Sequence, residues 1–147
     1  MAYSEITQDN FTESIESNDI VIMDFWAPWC GPCRAFGPVF ERVSEENSDV
    51  LFGKCNTEDE RELAGALRIK AIPTLMVFRE RILIFRQSGA LPEPAFRELV
   101  AKVKELDMDE VRRDVAEQEA KEKAEAEAAE ETSNETSDET SDEASGD

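Results

Sequence analysis

The sequence predicts one α/β domain, a central mixed β-sheet flanked by helices on both faces, followed by an acidic C-terminal extension outside the core. Two observations support this prediction. Over the first 106 residues, apolar strand-like segments alternate with amphipathic segments of helical period and end in a hairpin and a helix. From residue 107 onward the 147-residue chain has no Leu, Ile, Phe, Trp or Tyr. We therefore expect the domain to comprise residues 1–106, which is long enough to bury its own core.

The elements of this domain follow from local patterns. Thr7 can cap a first helix over residues 7–17. Ile20–Trp26 is apolar and rich in β-branched residues, as expected for a strand buried on both faces. Pro38 lies inside the following helix, where it predicts a kink. The remaining elements, in order, are helix 30–46, strand 50–55, helix 58–67, hairpin strands 74–78 and 82–86, and helix 94–106.

The extension carries 17 acidic and 4 basic residues, which account for −13 of the net charge of −19. Residues 107–130 have favourable Glu-to-Lys spacings but almost no apolar face, so we expect a solvated acidic helix. Residues 131–147 contain the repeat ETSN-ETSD-ETSD-EASG, which cannot bury enough surface to offset its ordering entropy. We expect this last segment to be disordered.

The composition also bears on partners and location. An acidic chain repels phosphate, so we expect neither nucleic acid nor an anionic membrane as partner. The first ten residues lack the basic and apolar regions of a secretory signal, and apolar runs of four residues are too short to cross a bilayer. An odd count of three cysteines, two of them in a C-x-x-C motif, is typical of a reducing compartment. We expect a cytoplasmic monomer.

The segment WAPWCGPC at residues 26–33 places Cys30 and Cys33 three residues apart. Three interpretations compete. A zinc or iron–sulfur site needs four ligands, whereas the sequence has no histidine and no second C-x-x-C motif. A purely structural disulfide would close a loop too short to restrict the unfolded chain much. Thiol–disulfide exchange fits the spacing better, because residues three apart lie on one side of a helix.

The exchange interpretation gives each residue of the motif a chemical task. If Cys30 begins a helix, free N–H groups and the helix dipole favour its thiolate, the attacking species in exchange. Cys33, one turn further in, should be less exposed and more basic, as suits a resolving thiol. Pro32 suits a first helical turn, and Gly31 lets another polypeptide approach closely. Asp24, in an apolar strand, either bonds the backbone at a strand end or is a buried proton carrier that deprotonates Cys33, and we favour the carrier.

The motif WAPWCGPC, with Asp24 before it and Ile72-Pro73-Thr74 and Ser88-Gly89-Ala90 after it, resembles the thioredoxin family over about residues 3–106. The resemblance implies a thioredoxin fold, with Cys30 as nucleophile, Cys33 as resolving thiol and Asp24 as buried proton acceptor. It also implies a cis Ile72–Pro73 bond and a flat apolar substrate-binding surface around Cys30. The residues implied for that surface are Trp29, Gly31, Pro32, Ile72, Pro73, Gly89 and Ala90.

The resemblance further implies that electrons come from NADPH through thioredoxin reductase, that the chain binds no cofactor or metal, and that disulfide-containing reductases and peroxidases are substrates. The Gly31-Pro32 dipeptide resembles that of the reducing members of the family, whereas related oxidants and isomerases more often carry a histidine there. The sequence has no histidine, so the resemblance implies a disulfide reductant. Two alternative functions are a thioredoxin-fold chaperone or binding module, and a net oxidant or isomerase.

Several positions depart from the family pattern or stand apart from the motif. The hairpin turn at residues 79–81 has no glycine, Ala71 stands where glycine is common, and Ser88 replaces an aliphatic residue. Lys54 either tunes the buried aspartate or is a surface lysine with a partly buried stem. Cys55 is expected to be a small buried strand residue, with a regulatory thiol as the alternative.

Overall fold

The computed structural model describes residues 2–144, with side chains described for residues 2–132. The chain divides into two compact units, with the boundary between Glu105 and Leu106. The strands of the first unit are β1 (Tyr3–Glu5), β2 (Ile20–Trp26), β3 (Leu51–Asn56), β4 (Thr74–Arg79) and β5 (Ile82–Ser88). Its helices are α1 (Phe11–Glu16), α2 (Gly31–Glu46), α3 (Arg61–Ala66) and α4 (Glu93–Glu105). The second unit contains α5 (Met108–Ala144).

The strands form one mixed sheet in the order β1-β3-β2-β4-β5. β2 pairs in parallel with β3 and antiparallel with β4, and β4 and β5 form an antiparallel hairpin. The mixed sheet predicted from the sequence is therefore confirmed. Its central strand, β2, ends at Trp26, directly before the segment that carries the two cysteines of the motif.

The two faces of the sheet are covered by different pairs of helices. Because side chains alternate along a strand, Ile22 and Asp24 of β2 point to one face and Met23 and Phe25 to the other. The first face packs against α2 and α4 through buried residues of all three elements, among them Phe36, Phe40, Phe96 and Val100. The second face packs against α1 and α3, with Phe11, Ile15 and Leu63 among its contacts. The predicted arrangement of helices on both faces is confirmed.

β1 is a strand that the sequence patterns did not predict. Three residues are too few to show alternation, and the strand is held instead by parallel pairing with β3. Ile6, directly after it, is fully buried, and its N–H donates to the Lys54 carbonyl at 2.8 Å. A side chain at Gly53 would collide with Ile6, so glycine at this position of β3 lets Ile6 reach the core.

α1 is shorter than the predicted helix 7–17, because Thr7 and Asn10 form a turn before it. The Thr7 N–H donates to Asn10 Oδ1 at 2.8 Å, and the Asn10 N–H donates to Thr7 Oγ1 at 3.3 Å. The helix therefore begins at Phe11, with Asn10 at the N-cap position. This bonding satisfies backbone donors at the helix start that would otherwise need another partner.

The β4–β5 hairpin turns through Glu80 and Arg81, whose φ angles are 51° and 70°. Two successive residues with positive φ are typical of the tight hairpin turn that favours Asn-Gly. The turn keeps this geometry without glycine, and the Glu80 N–H donates to the Asp19 carbonyl at 2.8 Å. The left-handed conformation of two non-glycine residues costs free energy that the rest of the domain must offset.

α5 begins at Met108, close to the predicted start, but continues to Ala144 rather than ending at residue 130. Ala and Glu dominate its sequence, and neither Gly nor Pro interrupts the helix. Of its described side chains from 109 to 132, only Val111 and Val115 are even half-buried. Residues 145–147 of the tail predicted to be disordered lie outside the described residues. Within residues 2–144, none of the helices has the length and apolar character needed to span a membrane.

Candidate active site

Cys30 occupies the N-cap position of α2, as the exchange interpretation requires. Its backbone is extended, with φ −87° and ψ 114°, and the helix begins at Gly31 with Pro32 in the first turn. The Cys33 N–H donates a hydrogen bond to Cys30 Sγ at 3.2 Å. A sulfur in this position receives both a donor and the positive end of the helix dipole, which together favour a thiolate.

Cys30 and Cys33 are joined by a disulfide, with their Cα atoms 5.3 Å apart. The predicted closeness of the two sulfurs is therefore confirmed, and the structure shows the oxidised form of the pair. Cys30 is 5% exposed and Cys33 is 4% exposed, so the expected difference in exposure is nearly absent. The reason is that the two cysteines form one buried cluster with Ala27, against which Ile72 packs, so little of either sulfur reaches the surface.

A loop before β4 lies directly beside Cys30. The Ile72–Pro73 peptide bond is cis, as the resemblance implies. The Ile72 carbonyl oxygen lies 3.7 Å from Cys30 Sγ. The Gly89 N–H donates to the Pro73 carbonyl at 2.7 Å, and Gly89 has a positive φ of 104° that favours glycine. These contacts bring the predicted residues of three separate chain segments to one place.

The residues of the predicted surface around Cys30 differ in how much of them reaches solvent. Trp29 is 66% exposed, and its Nε1 donates to Glu58 Oε1 at 2.7 Å. Glu58 Oε2 in turn lies 3.0 Å from an Arg61 guanidinium nitrogen, and these two hydrogen bonds lower the pKa of the Glu58 carboxyl. Ile72 is half-buried and Pro73 is buried. The exposed members of the surface are Trp29, Gly31, Pro32, Gly89 and Ala90.

Asp24 is fully buried on the same face of the sheet as α2. Neither of its carboxylate oxygens has a hydrogen-bond partner among the described residues. Burial raises the pKa of the Asp24 carboxyl from 3.8 to about 7, and the positive charge of Lys54 opposes that rise. The alternative that Asp24 bonds the backbone at a strand end is wrong, because it lies inside β2 and pairs there with Lys54 and Leu75.

Lys54 is the cation that acts on Asp24, but it forms no ion pair with it. Its Nζ lies 3.5 Å from Glu41 Oε1, and it sits over the Tyr3 and Trp26 rings at 5.1 and 5.2 Å from their centroids. Sequence reasoning missed Glu41, Tyr3 and Trp26 at this site. No local signal could have found them, because their contacts depend on how β1 and α2 pack around β3.

Cys55 is the free cysteine of the chain and is fully buried in β3. Burial, followed by the negative charges of Glu60, Asp24 and Glu5, raises the pKa of its thiol to about 12. The expectation of a small buried strand residue is confirmed. Among the described residues, no group of three or more Cys, Asp or Glu side chains is placed to hold a metal ion.

Comparison with known proteins agrees with this site. Residues 2–105 match the model of the Thioredoxin family. A Streptomyces coelicolor protein named as a thioredoxin 2 is 51% identical over 115 residues, which is 78% of this chain and 86% of that protein. The thioredoxin of Bacillus subtilis is 37% identical over 103 residues, covering 69% of this chain and 98% of its own length.

Solved structures show the same fold. Chloroplastic thioredoxin z superposes with a TM-score of 0.66 at 28% identity, covering 72% of this chain and 97% of that one. A thioredoxin variant from Halobacterium salinarum superposes with a TM-score of 0.64 at 28% identity, covering 69% of this chain and 90% of that one. With the bonded pair Cys30–Cys33 at the start of α2, these matches show that the chain belongs to the thioredoxin family and is a dithiol–disulfide oxidoreductase that reduces protein disulfides.

Proposed function

We propose that Cys30 is the attacking thiol, Cys33 the resolving thiol and Asp24 the base that deprotonates Cys33. The observation that carries this proposal is the position of Cys30 at the N-cap of α2, with its sulfur 3.2 Å from the Cys33 N–H. A hydrogen-bond donor and a helix N-terminus stabilise a thiolate more than a thiol. Cys33 lies one turn inside the helix, so it gains less from the dipole and keeps its proton longer.

In the first step the Cys30 thiolate attacks one sulfur of the substrate disulfide. A bond forms between Cys30 Sγ and that sulfur, the substrate disulfide breaks, and the other substrate sulfur leaves as a thiolate that takes a proton from solvent. The Ile72 carbonyl oxygen, 3.7 Å from Cys30 Sγ, is placed to accept a hydrogen bond from the backbone of the substrate. Main-chain pairing of this kind is largely independent of the substrate's sequence.

In the second step Asp24 accepts the proton of the Cys33 thiol, and the Cys33 thiolate attacks Cys30 Sγ. The mixed disulfide breaks, and the second substrate sulfur leaves as a thiolate. The substrate has then gained two electrons, and Cys30 and Cys33 have been oxidised to the disulfide. A carboxyl group whose pKa is about 7 suits this proton transfer, because an efficient base has a pKa near the operating pH.

We assign substrate contact to the surface around Cys30. Its exposed members leave the edge of the disulfide open to a flat polypeptide, and exposed Trp29 offers the largest apolar side chain. Pro73 is buried and contributes through its backbone position. The residues assigned to this surface are Trp29, Gly31, Pro32, Ile72, Pro73, Gly89 and Ala90.

The cycle balances only if another reductant returns two electrons to the oxidised pair. We assign that role to thioredoxin reductase, which would draw the electrons from NADPH, because the family of this chain supports such a partner. Reductases and peroxidases that form disulfides are the substrate classes that fit. A monomer in the cytoplasm, where thiols are kept reduced, fits a protein that works as a reductant.

Single-cysteine variants test the roles of the two thiols. Cys33→Ser should trap the mixed disulfide with a disulfide-bonded protein such as insulin, because the first step remains and the second has lost its nucleophile. Cys30→Ser should neither trap substrate nor turn over. Cys55→Ala is the matched control and should keep full turnover with catalytic reductant, because Cys55 lies in the core away from the pair. Trapping by Cys30→Ser and not by Cys33→Ser would reverse the assigned order.

Asp24→Asn tests the base. The variant should form the mixed disulfide at the wild-type rate and resolve it about 10²-fold more slowly at pH 7, the lower end of what general-base catalysis contributes. Raising the pH should restore resolution, because hydroxide then deprotonates Cys33 directly. Equal resolution rates of the variant and the wild type across pH 6–9 would show that Asp24 carries no proton.

The redox equilibrium of the Cys30–Cys33 pair with glutathione separates a reductant from a net oxidant. Glutathione reduces the disulfide of a reductant poorly and that of a net oxidant readily.

A further inference from the structure

Most cations of the first unit are neutralised by a neighbouring carboxylate. Residues 1–106 contain 12 lysines and arginines, and seven of them have a carboxylate oxygen within 4.0 Å. Among the described side chains of this unit, the remaining five have no such partner. These five are Arg34, Arg68, Lys70, Arg81 and Arg86. Because paired charges largely cancel at a distance, the five unpaired cations decide where the first unit presents positive charge.

Two of the five lie within two residues, along the chain, of Cys33 or of Ile72, which contacts Cys30. Arg34 directly follows Cys33, is exposed, and its N–H donates to the Cys30 carbonyl at 3.2 Å in the first turn of α2. Lys70 is exposed and lies two residues before Ile72, whose carbonyl oxygen is 3.7 Å from Cys30 Sγ. Two residues of chain span at most about 7 Å, so the Lys70 backbone is held close to the site. We name Arg34 and Lys70 the cationic pair.

The loop that carries Lys70 holds further positive charge. The Arg86 guanidinium donates to the Leu67 and Arg68 carbonyls at 2.6 Å each, which ties β5 to the end of α3. Only Arg81 lies elsewhere, at the turn beyond the far end of β4, about 17 Å along that strand from Thr74 at 3.4 Å per residue. The unpaired cations are therefore concentrated on the side of the sheet where the disulfide lies.

The carboxylate that contacts Trp29 of this surface is already neutralised. The Glu58 carboxylate accepts from Trp29 Nε1 at 2.7 Å and pairs with Arg61 at 3.0 Å. At physiological ionic strength, charges separated by more than about 8 Å are largely screened, so a bound polypeptide responds to the side chains beside it rather than to the net charge of −19.

We propose that the surface around Cys30 selects protein disulfides flanked by acidic residues, whose carboxylates pair with Arg34 and Lys70. This inference rests on the proposed function and adds a substrate class to it. The exchange chemistry is unchanged, because the cationic pair acts on the approach and orientation of the substrate. An exposed ion pair changes an equilibrium about 1.4- to 5-fold, so two such pairs together change it about 2- to 25-fold. We expect an advantage of an acidic over a basic substrate within this range, about 3- to 10-fold.

Three peptides with one disulfide flanked by Glu, Gln or Lys test the proposal. The full chain, kept reduced by catalytic reductant, is assayed for kcat/KM with each peptide at about 0.15 M ionic strength. Each value is divided by the rate of the same peptide with dithiothreitol, which carries no cation and attacks as a thiolate like Cys30, so the quotient corrects for the intrinsic reactivity of the disulfide. We expect the Glu peptide to exceed the Lys peptide about 3- to 10-fold, with the ratio falling toward one in about 1 M salt.

Charge-reversal variants show which cations cause the preference for the Glu peptide over the Lys peptide. Lys70→Glu and Arg34→Glu should each lower the Glu-to-Lys ratio several-fold, and both together should invert it. Arg81→Glu makes the same change in net charge far from the disulfide and should leave the ratio unchanged. Equal corrected rates for the three peptides, or an effect of Arg81→Glu as large as that of Lys70→Glu, would overturn the proposal. Failure of the wild type to reduce even the Gln peptide would instead overturn the proposed function.

Discussion

Replacing Asp24 with asparagine should stabilise the folded protein at neutral and alkaline pH and have little effect at acid pH. The Asp24 carboxyl is fully buried, and its pKa is raised from 3.8 to about 7. Between these two values the unfolded chain has lost the proton and the folded chain has kept it, so the free energy of unfolding falls as the pH rises. Asparagine has no proton to lose and is free of this penalty.

The size of the effect follows from the shift. One pKa unit corresponds to about 1.4 kcal/mol, and a shift from 3.8 to about 7 corresponds to about 4 kcal/mol once both states are ionised. The stability difference between Asp24→Asn and wild type should be small at pH 4. It should grow by about 1.4 kcal/mol per pH unit and level off above pH 7.

Urea denaturation of the oxidised full-length chain at pH 4, 5.5, 7 and 8.5 measures this difference. Asp59→Asn makes the same chemical change at an exposed position and should alter the stability by less than about 0.5 kcal/mol throughout. A stability difference for Asp24→Asn that is independent of pH would refute the reasoning. In that case the pKa of this carboxyl would be the same in the folded and the unfolded chain, and burial would not raise it.

Two further variants, one with a double substitution, test the backbone and the packing of the first unit. Glu80→Asn with Arg81→Gly should raise the free energy of unfolding by about 1–2 kcal/mol, because φ angles of 51° and 70° suit Asn-Gly, and thermal unfolding measures this gain. Gly53→Ala should lower it by about 1–3 kcal/mol, because the new methyl collides with Ile6. Gly65→Ala, in a helix with open space around it, is the matched control and should stabilise by up to about 1 kcal/mol. Equal effects of the two glycine substitutions in urea denaturation would contradict the packing argument.

The sequence predicted those parts of the fold that depend on residues close together in the chain and on patterns that extend over several residues. The bounds of β2 agree with the prediction because seven consecutive residues, Ile20–Trp26, form an apolar strand pattern. The start of α2 agrees because proline is favoured in the first turn of a helix, and Pro32 in that turn puts Cys30 at the N-cap. The prediction that Asp24 is a buried proton carrier depended on the apolar pattern of Ile20–Trp26. A carboxylate among the apolar residues of a strand is buried wherever that strand is buried.

Other features could not be predicted because they depend on long-range packing. β1 is only three residues long and exists through its pairing with β3. The position of Lys54 is set by Glu41 and by the rings of Tyr3 and Trp26, which come from different parts of the chain. The near-equal exposure of the two sulfurs depends on Ile72, 42 residues away from Cys30 in sequence.

Because the thiol of Cys55 is buried, the redox state of the Cys30–Cys33 pair can be measured by alkylating the native protein. A bulky alkylating reagent reacts with accessible thiolates, and a fully buried thiol with a pKa of about 12 presents neither access nor charge. Mass tagging of the native chain should therefore add no label to the oxidised form and one label, at the Cys30 thiolate, to the reduced form, with buried Cys33 and Cys55 labelled only after denaturation. The fraction of chain that carries one label then measures, directly in a cell extract, what fraction of this protein is in the reduced, electron-donating form.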